Sequence, residues 1–118
     1  MPHIILEYSG NLGDGSGPSR LLDQLHDAVG ETESFEADRV KSRAIRCDTY
    51  RVGADRSGFV HVTVVFSPGR PEALRRALVN RLLRILRREV ETLNPGIATS
   101  VEIRQFEPGM YVTQRDQS

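Results

Sequence analysis

The chain has 118 residues, 16 basic against 16 acidic side chains, and a single cysteine, Cys47. That length suffices for one domain around one core, near the size at which association often completes apolar burial. Zero formal net charge offers no general attraction to a polyanion, one cysteine excludes an internal disulfide framework or a multi-cysteine metal site, and no apolar run approaches the roughly 18 residues that span a bilayer, so a soluble, cytoplasmic protein is expected.

Pro2 to Tyr8 is predicted as a first strand, with Ile4 and Leu6 on one face and His3, Ile5 and Glu7 on the other. Pro2 directly follows the initiator methionine. If Met1 is removed, Pro2 presents a secondary amine; an α-amino group titrates at about 7.7–8.0, and burial or neighbouring cations lower it towards a useful general base. A proline at position two is common and is tolerated at a strand's first position, so it carries little weight alone. Gly10 to Gly17 is rich in turn residues and reads as a loop over the site entrance.

Pro18 is predicted to open a helix through Val29, with Leu21, Leu22, Leu25 and Ala28 or Val29 as its apolar stripe. A polar bridge, broken by Phe35, leads to a second strand at Lys41 to Val52. The turn Gly53 to Gly58 makes the third strand, Phe59 to Phe66, its expected hairpin partner. In that strand Val60, Val62, Val64 and Phe66 form one apolar face, while Phe59, His61, Thr63 and Val65 form another that is too apolar to leave in water. Pro71 starts the second helix, which runs to Leu93 with Leu74, Ala77, Leu78, Leu82, Ile85, Leu86 and Val90 at helical spacing. Asn94-Pro95-Gly96 ends it. Thr99 to Phe106 is the fourth strand, and Met110-Tyr111-Val112 is a candidate short strand added to a neighbour.

The order is therefore β-α-β-β-α-β, an α/β (α+β) fold of one domain over residues 1–118: a four-stranded sheet with two helices packed on one face. Its open face needs a partner. The second helix also carries Arg75, Arg76, Arg81, Arg84, Arg87 and Arg88, which could bind phosphate backbones; with zero net charge and no accompanying nucleic-acid motif, they read as a solvated face, and neither nucleic acid nor membrane is expected as a partner.

Pro2 on the first strand, Arg43 at the entry to the second and Arg70 in the turn before the second helix stand with four ordered motifs. These are Met1-Pro2-His3 with Glu7-Tyr8-Ser9-Gly10-Asn11, then Lys41-Ser42-Arg43 with Asp48-Thr49-Tyr50, then Phe59-Val60-His61-Val62-Thr63, then Gly69-Arg70. On these residues the chain resembles the tautomerase superfamily with an N-terminal proline, most closely its 5-carboxymethyl-2-hydroxymuconate isomerase branch, over Met1 to Phe106. The resemblance implies a homotrimer with sheets lining the centre, and an isomerase that needs neither cofactor nor metal. It further implies Pro2 as base for a 2-hydroxymuconate-type acid, with Arg43 and Arg70 binding a small dicarboxylate-like substrate. Arginine suits that role because its charged fork matches a carboxylate and polarises an enolic oxygen. The resemblance also admits a trimer that has lost or changed its chemistry. The chain departs from the branch at Ile45-Arg46, where His-Trp is common, and in its glycine-rich Gly10 to Gly17 loop; alternation puts Arg46 on the face opposite Arg43. His3 and His61 read as packing or supporting residues, and His26 as a partly exposed helix residue.

Overall fold

A computed structural model describes residues 1–13, 16–54, 57–94 and 96–114. Its elements are β1 (His3–Ser9), α1 (Ser16–Gly30), β2 (Lys41–Cys47), β3 (Phe59–Phe66), α2 (Glu72–Leu93) and β4 (Ala98–Gln105), with a 3-10 turn at Ala37–Arg39 before β2. The predicted β-α-β-β-α-β order and four-stranded sheet are both present. Pro71 stands just before α2, where its missing N–H costs nothing. Of the three residues predicted to stop that helix, Pro95 lies outside the described residues, as do Asp14 and Gly15 of the first loop and Asp55 and Arg56 of the turn before β3.

The sheet order is β2-β1-β3-β4. β1 pairs in parallel with β2 and antiparallel with β3, and β3 pairs in parallel with β4. This corrects the expected hairpin between the second and third strands: β1, not β2, is the neighbour of β3. The physical reason lies in β2 itself. Its residues Arg43 to Arg46 are exposed and neither side is apolar, so it suits a sheet edge, whereas β1 and β3 carry full apolar faces and meet in the middle. The strand also ends at Cys47 rather than Val52.

Alternation on the two central strands places Ile4, Leu6, Val60, Val62, Val64 and Phe66 inward, all fully buried. Against them pack Leu21, Leu25, Ala28 and Val29 of α1 and Leu78, Leu82, Ile85, Leu86 and Val90 of α2, forming one cluster. Each fully buried leucine or phenylalanine adds about 1.5–3 kcal/mol relative to exposure. Ala77, expected on the apolar stripe of α2, is exposed instead. The basic face of α2 is partly paired: Arg76 to Glu72, Arg81 to Glu31 and Arg88 to Glu89. Among the described residues no helix is long and apolar enough to cross a membrane.

Among the described residues no helix lies over the other face of the sheet. In register it presents His3, Ile5 and Glu7 of β1, Lys41, Arg43 and Ile45 of β2, His61, Thr63 and Val65 of β3, and Ser100, Glu102 and Arg104 of β4. Ile45 is 42% exposed.

Candidate active site

Strand direction decides which loops meet. Because β1 and β2 run parallel, Met1-Pro2 and the turn ending at Arg39 lie at one end of the sheet. Because β3 runs against β1 and β4 runs with β3, the residues following Phe66 and Phe106 arrive at that same end. Pro2, Lys41 with Arg43, Arg70 and the C-terminal tail are thus gathered from four separate stretches of sequence.

Pro2 is buried, and its carbonyl accepts a hydrogen bond from the Lys41 amide at 3.0 Å. The Met1 amino group donates to the carbonyl of Arg39 at 2.7 Å. Met1, Ser34, Phe35, Arg39, Arg70 and Tyr111 line a cleft of about 320 Å³, together with Glu36 and Thr113.

Two arginines line this cleft, Arg39, paired with Glu36, and Arg70. The Arg70 guanidinium lies 4.4 Å from the centre of the Phe35 ring and 5.4 Å from that of Phe66. It donates from Nε to Ser34 Oγ, from Nη1 to the Ser67 carbonyl and from Nη2 to the Ser34 carbonyl. All three acceptors are neutral, so the positive charge is not cancelled by them, and the guanidinium retains further N–H groups. Burial pulls its pKa down from the ordinary arginine value.

Arg43 does not share that cleft. It lies on the open face, exposed, in an adjoining depression of about 310 Å³ lined also by His3, Ile5, Val65, Phe106 and Tyr111. Of the three sequence-predicted residues, Arg70 lines the cleft with Met1, Pro2 is buried directly behind Met1, and Arg43 stands next door with Tyr111 as the shared wall. Arg46 is on the opposite face, as alternation required, and is held by Asp48 at 2.7 Å.

The electrostatics of this end are positive. The His3 imidazole is pushed below its ordinary value first by burial, then by the positive charges of Lys41, the chain's N-terminus and Arg43. The cleft's one lining acid among the described residues, Glu36, is paired at 2.7 Å with Arg39. Among the described residues no three His, Cys, Asp or Glu side chains gather as a metal-holding group.

The loop after β1 needs a correction. Gly10 to Gly13 follow the C-terminal end of β1, so within its own chain that loop lies a strand's length, about 20 Å, from Pro2 and does not cover it. Sequence reasoning also missed Tyr111. Within the chain's own sheet the tail adds no strand at Met110-Tyr111-Val112; Tyr111 turns inward while Met110 and Val112 remain 70% and 79% exposed. Its signal was an aromatic residue alone in a polar tail, which cannot be placed without knowing where β4 ends. A slightly larger cleft, about 350 Å³, lies between α2 and β4 around Arg75, Arg76 and Gln105; its one carboxylate among the described residues, Glu72, is paired with Arg76.

A family model described as 5-carboxymethyl-2-hydroxymuconate isomerase matches residues 2–116. No curated protein sequence matches the chain. Among solved structures, a 5-carboxymethyl-2-hydroxymuconate isomerase from Deinococcus radiodurans R1 is 25% identical with a TM-score of 0.83, over 96% of this chain and 88% of that one. A 5-carboxymethyl-2-hydroxymuconate delta-isomerase is similar in fold, with TM-score 0.78 and 18% identity over 97% and 87%. So is a fused wild-type 4-OT symmetric trimer, with TM-score 0.75 and 18% identity over 95% and 92%.

Proposed function

Since the chain belongs to the 5-carboxymethyl-2-hydroxymuconate isomerase family and is an isomerase of the tautomerase type, we propose that it converts a small 2-hydroxymuconate-type acid between its enol and conjugated oxo forms, with Pro2 as the base once Met1 is removed. The pathway we assign it is the catabolism of aromatic compounds, in the cytoplasm, as a single domain that works as a homotrimer. The observation that supports this reading is that Met1, the residue bonded to the Pro2 nitrogen, and Arg70 line one cleft beside a positively charged strand entrance.

The proposed chemistry is one proton moved twice. The Pro2 nitrogen takes the proton of the 2-hydroxyl, the electron pair of that O–H bond moves into the diene, and the proton is returned to a distant carbon as a new C–H bond. Negative charge gathers on the 2-oxygen between these steps. Arg70, whose neighbours are neutral acceptors, is assigned to one anionic group of the substrate, and Arg43 to a second. Their charge, with that of Lys41, disfavours protonation of the proline and so keeps it a base. No cofactor is assigned.

The trimer rests on two supports. The open face carries Ile5, Ile45 and Val65 without a helix over them, and a neighbour of the same fold is named as a symmetric trimer. A sheet-lined centre would remove that face from water.

Intact mass and N-terminal sequencing establish whether Pro2 is the first residue. Ketonisation of a 2-hydroxymuconate-type acid, followed by ultraviolet absorbance, then compares wild type with Pro2→Ala. Loss of Met1 and a fall of about 10²–10⁴-fold in the variant are expected. Activity indifferent to Pro2, or retained Met1 in a fully active sample, would remove the proposed base.

A further inference from the structure

The C-terminal tail brings one side chain back to the site end of the sheet. After β4, the Phe106 amide donates to the Phe66 carbonyl at 2.9 Å, and the Met110 amide donates to the Glu107 carbonyl at 2.9 Å, turning the chain. Tyr111 is thereby stacked on Phe106, with ring centres 4.5 Å apart and planes within 19°. It meets the His3 ring edge-on at 5.6 Å. Its hydroxyl and His3 Nε2 are 3.0 Å apart. Met110 and Val112, on either side, stay in solvent. Tyr111 alone lines both the cleft of Met1 and Arg70 and the depression of Arg43.

That position has a chemical consequence. A phenol offers one donor hydrogen and accepts through its oxygen. If the His3 hydrogen sits on Nε2, it is donated to the phenolic oxygen, and the Tyr111 O–H is released to donate elsewhere. The groups it can reach are those of a molecule seated in either hollow. Its ring is fixed from two sides before any ligand arrives, so little conformational freedom is lost on binding.

We propose that Tyr111 is a substrate-binding residue that donates a hydrogen bond to a carboxylate of the acid, standing between the Arg70 and Arg43 ends, with His3 as the residue that positions it. This rests on the reading of the Met1 and Arg70 cleft as the substrate site. Tyr111 thus sets preference for an acid with anionic groups at both ends, rather than acting on the transferred proton.

The test uses the full-length, processed protein and two readouts. One is steady-state ketonisation of a 2-hydroxymuconate-type diacid and of its monoester. The other is calorimetric binding of cis,cis-muconate, which requires no turnover. Tyr111→Phe keeps the stacked ring, and is expected to raise KM for the diacid and Kd for cis,cis-muconate by about 10-fold with kcat within about 3-fold, the loss of one charge-assisted hydrogen bond. The penalty should shrink for the monoester lacking the contacted carboxylate. His3→Asn should weaken diacid binding in the wild-type background and add nothing in the Tyr111→Phe background. Unchanged KM and Kd in Tyr111→Phe, or an equal loss for diacid and monoester, would overturn the assignment. If ketonisation depends on Pro2 while Tyr111→Phe changes nothing, this inference fails alone. If wild type binds cis,cis-muconate through Tyr111 but turns nothing over, the proposed chemistry fails and this inference stands. Absence of both turnover and cis,cis-muconate binding in the wild-type protein would overturn both.

Discussion

The two ends of the sheet are built on opposite principles. At the end where β1 finishes, Ser9 is fully buried; its hydroxyl accepts from the Phe59 amide at 3.0 Å and donates to Asn11 Oδ1 at 2.6 Å, while Asn11 Nδ2 donates to the Ser57 carbonyl at 2.8 Å. This cluster is neutral and mutually satisfied. At the end where β1 begins, Lys41, Arg43 and the N-terminus add positive charge around His3, and Arg70 is surrounded by neutral acceptors and aromatic rings. A closed polar network stabilises a fold because every member has its partner. Arg70, held by neutral acceptors, keeps instead a preference for an anion. One end should therefore govern stability, and the other recognition.

The sharpest way to break that division is at Gly58. Its φ is +122°, and a Cβ there would lie 2.8 Å from both Ser9 Oγ and Asn11 Oδ1. Gly58→Ala therefore strains the backbone and disrupts the network at once, at a cost of about 3 kcal/mol. Thermal or denaturant unfolding should register the loss, while kcat/KM per folded molecule stays at the wild-type value. A fall in intrinsic activity would mean that the two ends communicate. Arg43→Ala is the reciprocal change, expected to lower kcat/KM by about 10²-fold, or about 2.7 kcal/mol. Its exposed side chain should leave stability within about 0.5 kcal/mol.

Arg70 tests whether the separation is complete. It both lies over Phe35 and ties the Ser34 segment to Ser67. Arg70→Ala is expected to cost about 2 kcal/mol of stability together with a loss of about 10-fold in kcat/KM. A purely structural Arg70 would lose the first and keep the second when assayed well below the melting temperature.

Much of this division was legible in the residues, because alternation and helical spacing report burial directly. The inward sets Ile4/Leu6 and Val60/Val62/Val64/Phe66, with Leu21, Leu25, Ala28 and Val29 of α1 and Leu78, Leu82, Ile85, Leu86 and Val90 of α2, follow from periodicity and are in the observed core, while Leu74 and Ala77 of the expected stripe are not. Strand neighbours were not legible in the same way. A tight Gly53 to Gly58 turn suggests a hairpin, but β2 has no apolar face to place beside β3, and the central position goes to β1, which buries its alternate residues. The position of the first loop failed with it, since the end of the sheet at which a loop lies depends on strand direction. Pro2, Arg43 and Arg70 were named from a resemblance of motifs. That Arg70 is desolvated over Phe35, and that Arg43 lies in a separate hollow, depends on contacts among residues far apart in sequence. Tyr111 is the extreme instance: its partner His3 stands at the other end of the chain.

The smallest effect concerns His3 and has a definite sign. Burial, Lys41, the N-terminus and Arg43 all lower its folded pKa below the ordinary histidine value of about 6.5. Between the lowered and ordinary values, the unfolded chain binds more protons than the folded one, so stability rises with pH through that window. The contribution is fully present above the ordinary value and is lost as pH falls through the folded one. Replacing His3 by asparagine should therefore flatten the dependence of Tm on pH just below about 6.5. Glu102 supplies an internal control: its pKa is lowered first by its hydrogen bond to Arg104, and less by that to His61. Its stabilising contribution is lost only at more acidic pH, as the carboxylate protonates, so the His3 variant should leave that lower limb in place. If the upper limb survives the substitution unchanged, the cations at the β1 entrance do not act on His3 in solution, and the contrast between a charged end and a neutral end weakens accordingly.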